Sequence, residues 1–246
     1  MVFLFLIAVM LNGCATVKTY SSLDAALQNP EHVERLKITN KSLGTLPPEI
    51  SKLKYLRELI LFRCHIDSLP KEIGALTNLE KLSVTSSRLK KMNAEIGNCK
   101  KLRTVFLQDN QLNQLPNSIG NLTALKELNV SSNYLDSLPH TIGRLTNLEY
   151  FYANGNSLKN IPDEIGLMTA TRFLYLGRND LSELPNSIGN LTALTELDVA
   201  NAGALLHIPE TLCNNRNLET LYVDATIYVP ACMGRANVQR FRIVMK

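Results

Sequence analysis

Tryptophan is absent from the 246 residues, histidine occurs four times and cysteine five, and acidic residues (22) nearly balance Lys and Arg (26). A net charge of only +4 excludes the dense basic stripe that a nucleic-acid surface needs. Up to residue 110 there are 16 basic against 10 acidic residues, and beyond it 10 against 12, so the basic surplus sits in the amino half while the aromatics fall mainly in the other. No Gly-, Ser- or Pro-rich stretch divides the chain; twelve Gly and ten Pro are dispersed, which excludes collagen-like and linker character and implies one domain. No apolar run reaches the about 20 residues that a membrane span requires. His32, His65, His140 and His207 fall at unrelated places with no Cys, Asp or Glu at metal-ligand spacing, and no nucleophile–base pair or phosphate loop is present. The expectation is a protein without metal or cofactor that is not an enzyme. With 45% hydrophobic and 20% charged residues, the chain folds.

The first eleven residues, Met1 to Leu11, form an apolar run that is too short to span a bilayer and reads as the core of a signal peptide. The following Leu11-Asn12-Gly13-Cys14 resembles the lipobox of bacterial lipoproteins. That resemblance implies a signal peptide over 1–13, acylation of Cys14, and attachment of the folded part to a membrane through this N-terminal lipid anchor, within the cell envelope. Ala15 after the cysteine, rather than Asp, points to the outer membrane over the inner.

What is abundant is periodicity. The pattern apolar-x-x-apolar-x-apolar starts at Val33, Leu56, Leu79, Leu102, Leu125, Leu148, Thr171, Leu194 and Leu218, and the first eight starts are 23 residues apart. Val238-x-x-Phe241-x-Ile243 repeats it once more. Within the unit, Leu112-Asn-Gln-Leu115-Pro116-Asn-Ser-Ile119-Gly120-Asn-Leu122 is matched by Leu135 to Leu145 and Leu181 to Leu191. This unit resembles the leucine-rich repeat of the LPxxIGxLTNLxxLxLxxNxL kind, found in Ras-group-related repeat proteins and in many bacterial surface proteins. The resemblance implies an α/β solenoid, a curved horseshoe with a parallel sheet on its concave face and short helical, 3-10 and loop segments on its convex face. Nine repeats would fill 33–236, preceded over 14–32 by an anchor segment and an N-terminal capping helix and followed over 237–246 by a C-terminal cap strand.

The physical reading of the unit agrees. Alternation within each apolar stretch suits a short strand, and ten such strands would stack into one parallel sheet. Asn110, Asn133, Asn156 and Asn179 form a column whose amides can satisfy backbone groups where the chain leaves the strand, with Lys41, Cys64, Ser87, Ala202 and Thr226 in that place elsewhere. The prolines from Pro47 to Pro185 sit where no strand hydrogen bond is needed, and the glycines from Gly74 to Gly189 fit a tight turn, with positive φ as one option. Ser21 to Leu27 reads as a capped helix ending before Pro30. Cys64 and Cys99 read as small buried hydrophobes, and Cys213 and Cys232, on successive turns near the carboxy end, as candidates for a disulfide.

Residues between the inward positions face out of the concave sheet. Of 13 Phe and Tyr beyond the signal segment, seven lie there: Phe62, Phe106, Tyr150, Tyr152, Phe173, Tyr175 and Tyr222. Tyr150, Tyr152, Phe173 and Tyr175 should form a two-by-two cluster flanked by Tyr222 and the acids Glu196, Asp198 and Asp224. Large exposed apolar patches mark interaction sites, and Tyr is enriched in binding hot spots. The expected function is a non-enzymatic, monomeric scaffold that binds a protein partner on its concave face. Alternatives are a surface protein that binds a glycan on the same aromatics and, if the signal segment is unused, an intracellular regulator of a small GTPase.

Overall fold

The computed structural model describes residues 17–234 and 241–246; the signal segment, Cys14 and Val238 lie outside the described residues. In chain order the strands are β1 (Thr19–Tyr20), β2 (Arg35–Thr39), β3 (Gly44–Thr45), β4 (Glu58–Phe62), β5 (Ile66–Ser68), β6 (Lys81–Thr85), β7 (Thr104–Phe106), β8 (Glu127–Asn129), β9 (Tyr150–Tyr152), β10 (Phe173–Tyr175), β11 (Glu196–Asp198), β12 (Thr220–Val223) and β13 (Arg242–Met245). All but β3 and β5 form one parallel sheet in sequence order, and β3 and β5 pair with each other apart from it. The register carries each residue onto its equivalent one repeat later, as in Leu59↔Leu82 and Leu128↔Phe151. On the return side, eight five-residue 3-10 helices run from Pro48–Lys52 to Glu210–Asn214.

The apolar template drives this coil. Leu59, Leu61, Ile73, Leu76 and Leu79 are wholly buried, and their equivalents in the following repeats are buried too, except Asn215 in the last. Each such side chain contributes about 1.5–3 kcal/mol on leaving water, but only against the turns above and below it, so stability is a sum over neighbours. Each proline precedes its 3-10 helix at extended ψ and its carbonyl accepts the N–H three residues on, as Pro116 does from Ile119 at 2.9 Å.

The capping helix is α1 (Leu23–Leu27), with Ser22 Oγ accepting the Ala25 N–H and Ala26 buried. One strand more than the ten read from the repeat is present: β1 pairs with β2 ahead of α1. Two residues carry no readable alternation, and Tyr20 alone of them is buried. At the other end α2 (Ala231–Gly234) carries Cys232, which is bonded to Cys213, and β13 closes the sheet on β12 two residues away from the expected register, with Leu221 paired to Ile243 rather than to Phe241. Cys64 and Cys99 are buried free thiols, as expected.

The glycine column differs from the positive-φ option. Gly74, Gly97, Gly120, Gly143, Gly166 and Gly189 lie inside the 3-10 helices without positive φ; at Gly120 a Cβ would come within 2.3 Å of the Thr141 carbonyl oxygen of the next turn. Glycine is there because consecutive turns stack backbone to backbone. The left-handed turn falls instead one or three residues past the strand ends, at Asn40, Arg63, Ser86, Asp109, Ser132, Gly155, Arg178 and Asn201, with φ from 48° to 67°.

The asparagine column closes that turn. Asn133 Oδ1 accepts the Leu112 N–H of the preceding turn at 3.0 Å, and its Nδ2 donates to the carbonyls of Leu107 (2.9 Å) and Val130 (3.0 Å). Asn110, Asn156 and Asn179 repeat the arrangement. Toward the amino end smaller side chains keep part of it: the Cys64 thiol donates to the Ile38 carbonyl at 3.2 Å, and Ser87 Oγ accepts the Cys64 N–H at 3.1 Å.

Candidate functional site

Strand register decides which outward side chains meet. Phe173 pairs with Tyr150 and Tyr175 with Tyr152, so side chains that project from the sheet stand one strand spacing apart. The rings stack: Tyr150 on Phe173 with centroids 4.8 Å apart and planes 4° from parallel, Tyr152 on Tyr175 at 5.1 Å and 18°. Between them Phe151 and Leu174 point inward and are wholly buried, which fixes the backbone that carries the four rings. All four rings are half-buried, and the expected two-by-two cluster is present.

Carboxylates bracket it. Glu196, on β11 beside Phe173, accepts the Tyr175 hydroxyl at 2.6 Å. On the opposite side Glu127 of β8 pairs with Tyr150, and burial raises its carboxyl above the ordinary range against the pull of Lys81. Burial, and then the negative charge of Glu127 and Glu196, raises the Tyr152 hydroxyl; burial and the bond to Glu196 raise that of Tyr175. Both phenols are therefore neutral donors at physiological pH. Glu127 stands in the outward column of the sequence and was readable as the cluster's neighbour from the 23-residue register alone.

Two expected acids are not available to a ligand. Asp198 is 8% exposed; it accepts the Ala200 N–H and is paired with Lys246. Asp224 is also 8% exposed and accepts from Thr226 and the Asn201 N–H; burial works against its charge, but these bonds outweigh it and hold the carboxyl below its usual value. Short acids at strand ends reach their own turn more readily than the face of the sheet. Tyr222 lies in the same outward row beyond Asp198, and the Lys246 ammonium sits 4.0 Å from its ring centre. Lys246 could not be placed from the sequence because the last strand pairs with β12 two residues away from the expected register. Phe62 and Phe106 stand apart from the cluster on β4 and β7, with Arg63 and Lys81 over their respective rings.

The neighbouring surface offers no competing chemistry. A hollow lined by Asn179, Asp180, Asn201, Asp224 and Thr226 lies at the turns rather than over the aromatic rows, and its Asp224 is already engaged. Among the described residues no three His, Cys, Asp or Glu side chains could hold a metal ion, and no helix is long and apolar enough to cross a membrane. His140 lies 2.8 Å from Glu164 on the exposed return side, where both belong to 3-10 helices rather than to the aromatic strands.

Residues 90–171 match the family described as leucine-rich repeat region. No curated protein matches the chain in sequence. Among solved structures, a leucine-rich repeat protein of Leptospira interrogans is similar at 29% identity over 93% of this chain and 71% of the other, with a TM-score of 0.59. The leucine-rich repeat ectodomain of the plant membrane receptor kinase GASSHO1/SCHENGEN3 of Arabidopsis thaliana, in complex with CASPARIAN STRIP INTEGRITY FACTOR 2, is similar at 27% identity over 92% of this chain, with a TM-score of 0.70. This chain spans 31% of that ectodomain. An internalin of Listeria monocytogenes, at 19% identity, 91% and 70% coverage and a TM-score of 0.62, shares the fold. Repeat, fold and relatives agree: residues 90–171 match the leucine-rich repeat family and the described residues have the leucine-rich repeat fold, a scaffold suited to protein–protein interaction.

Proposed function

We propose that this protein is an exported, lipid-anchored scaffold that holds a protein partner against its concave face, on Tyr150, Tyr152, Phe173 and Tyr175. The observation that carries the reading is the stacked two-by-two aromatic cluster, half-exposed on a rigid sheet whose other outward positions are mostly small or polar. Prestacked rings lose little rotamer freedom on binding, which is why aromatic anchors contribute so much at interfaces. A protein is favoured over a glycan because sugar rings stack on free aromatic faces, whereas each of these rings has one face turned to its partner ring, at centroid distances of 4.8 and 5.1 Å. Anchoring at Cys14 would leave the whole solenoid outside the bilayer, since an acyl anchor needs only its chains buried.

The tests separate the parts. A photoreactive amino acid at Tyr152, followed by mass spectrometry of the crosslinked product, identifies the partner. The double variant Tyr152→Ala, Tyr175→Ala should then lose at least tenfold in affinity with unchanged thermal unfolding; unaltered affinity would remove the concave cluster from consideration. Palmitate labelling tests the anchor, with Cys14→Ser as the variant that should stay unlabelled.

A further inference from the structure

Three glutamates occupy one outward column of the concave sheet, and they differ in company. Glu58 is held by Arg35 of the neighbouring strand in a two-pronged pair at 2.7 and 2.8 Å. Glu127 and Glu196, which stand on either side of the Tyr150–Phe173 stack, form no ion pair among the described residues. Other carboxylates near this face do: Glu80 pairs with Arg57, Glu149 with Lys126 and Asp198 with Lys246.

The chain itself shows what such a place accepts. Lys246 lays its ammonium over the Tyr222 ring and against Asp198, two strands and one strand beyond the cluster respectively. Arg172 places its guanidinium 5.6 Å from the Phe173 ring centre at the cluster's rim. A cation gains from the aromatic quadrupole and from the carboxylate together, and more so where water is partly excluded. The charge of the carboxy half, 10 basic against 12 acidic residues beyond position 110, favours the same sign of ligand.

We propose that Glu127 and Glu196 each take a guanidinium or ammonium group from one extended segment of the partner, which crosses the strands with an apolar residue seated on the aromatic stack between them. This rests on the concave cluster being the partner site. The spacing sets the motif. From β8 to β11 are three strand steps, about 14 Å between backbones. An extended chain rises about 3.4 Å per residue and points alternate side chains to one face, so residues i and i+4 span that distance and residue i+2 falls at its centre. The expected recognition pattern is basic-x-apolar-x-basic. The phenol of Tyr152, kept protonated by burial and by the flanking carboxylates, adds a donor for the segment's backbone carbonyls, while that of Tyr175 is engaged by Glu196.

The experiment is selection of a displayed library of random twelve-residue peptides on the whole protein. Enrichment of Arg or Lys pairs four positions apart around an apolar residue is expected. A synthetic peptide carrying the selected pattern should bind about tenfold more weakly to Glu127→Gln and to Glu196→Gln, the change for losing one charge-assisted bond. Both are isosteric and partly exposed, and an unchanged thermal midpoint shows that they fold. Selected peptides without excess basic residues, no selected peptides at all, or affinity indifferent to both Gln variants would overturn the inference. The Tyr152→Ala, Tyr175→Ala variant distinguishes the two levels: if it still selects and binds the basic pattern undiminished, the aromatic reading fails although the carboxylates bind cations. If it loses partner capture while the partner's crosslinked segment is not basic, the aromatic reading stands and the cation inference falls.

Discussion

Replacing Asn133 by Ala tests whether the asparagine column is a structural spine. The side chain is 5% exposed and makes four bonds: Oδ1 accepts the Leu112 N–H at 3.0 Å, and Nδ2 donates to the carbonyls of Leu107, Val130 and Ser131 at 2.9, 3.0 and 3.1 Å. Alanine orphans the Leu112 N–H, a buried donor whose isolation costs about 1–3 kcal/mol. It also removes the amide donor from at least two well-directed carbonyls, at about 1 kcal/mol each. A loss of about 3–5 kcal/mol follows. Asn133→Cys is the informative control, because Cys64 occupies the same column and its thiol still reaches the Ile38 carbonyl at 3.2 Å; it should recover about 1 kcal/mol of the loss. Urea unfolding followed by circular dichroism measures both, with the slope of the transition checked for loss of cooperativity along the repeats. An alanine variant within 1 kcal/mol of the parent, or one indistinguishable from Asn133→Cys, would refute the reasoning.

Two glycines should fail for different reasons. Gly120→Ala drives a Cβ to 2.3 Å from a carbonyl oxygen of the next turn and should destabilise by about 3 kcal/mol, whereas Gly155→Ala has room, with nothing nearer than 3.5 Å, and loses only about 1 kcal/mol from its φ of +67°. The reverse order in chemical denaturation would contradict both accounts. Burial lifts the Cys99 thiol from 9.0 to about 11. Between those values the unfolded chain has released the proton and the folded chain has kept it. That contribution to stability is complete below about pH 9 and declines above it by at most about 1.4 kcal/mol per pH unit. Cys99→Leu, the residue of the same slot in other repeats, should flatten the fall in urea midpoint between pH 8.5 and 10.5 by about that amount; parallel curves would show that the thiol does not titrate differently on unfolding.

Much of the fold was legible because a 23-residue repeat writes the same physics again and again. Leu59 and Leu128 point inward for the reason their sequence equivalents do, and the register Tyr152↔Tyr175 follows from two numbers 23 apart. The ends were less legible: β1 is two residues long, and β13 pairs Ile243 rather than Phe241 with Leu221, leaving Ile243 40% exposed at the sheet's edge. The expected arrangement of outward side chains was legible only in part. Tyr150, Tyr152, Phe173, Tyr175 and Glu196 stand together as expected, while Phe62 and Phe106 stand elsewhere on the face and Asp198 and Asp224 bond their own turns.

The sequence by itself therefore determined the solenoid, the sheet register from β2 to β12 and the two aromatic rows, because these depend on spacing along the chain. Tertiary structure alone decided what depends on contact between turns. The 3-10 glycines are required by a neighbouring backbone that no single repeat reveals. The left-handed turn sits on residues as unlike as Arg63, Asp109 and Gly155, because bonds from adjacent turns, and not local preference, impose it. And of the carboxylates on the concave face, which are neutralised within the chain and which remain open is settled by where Arg35 and Lys246 reach, a matter of three-dimensional distance.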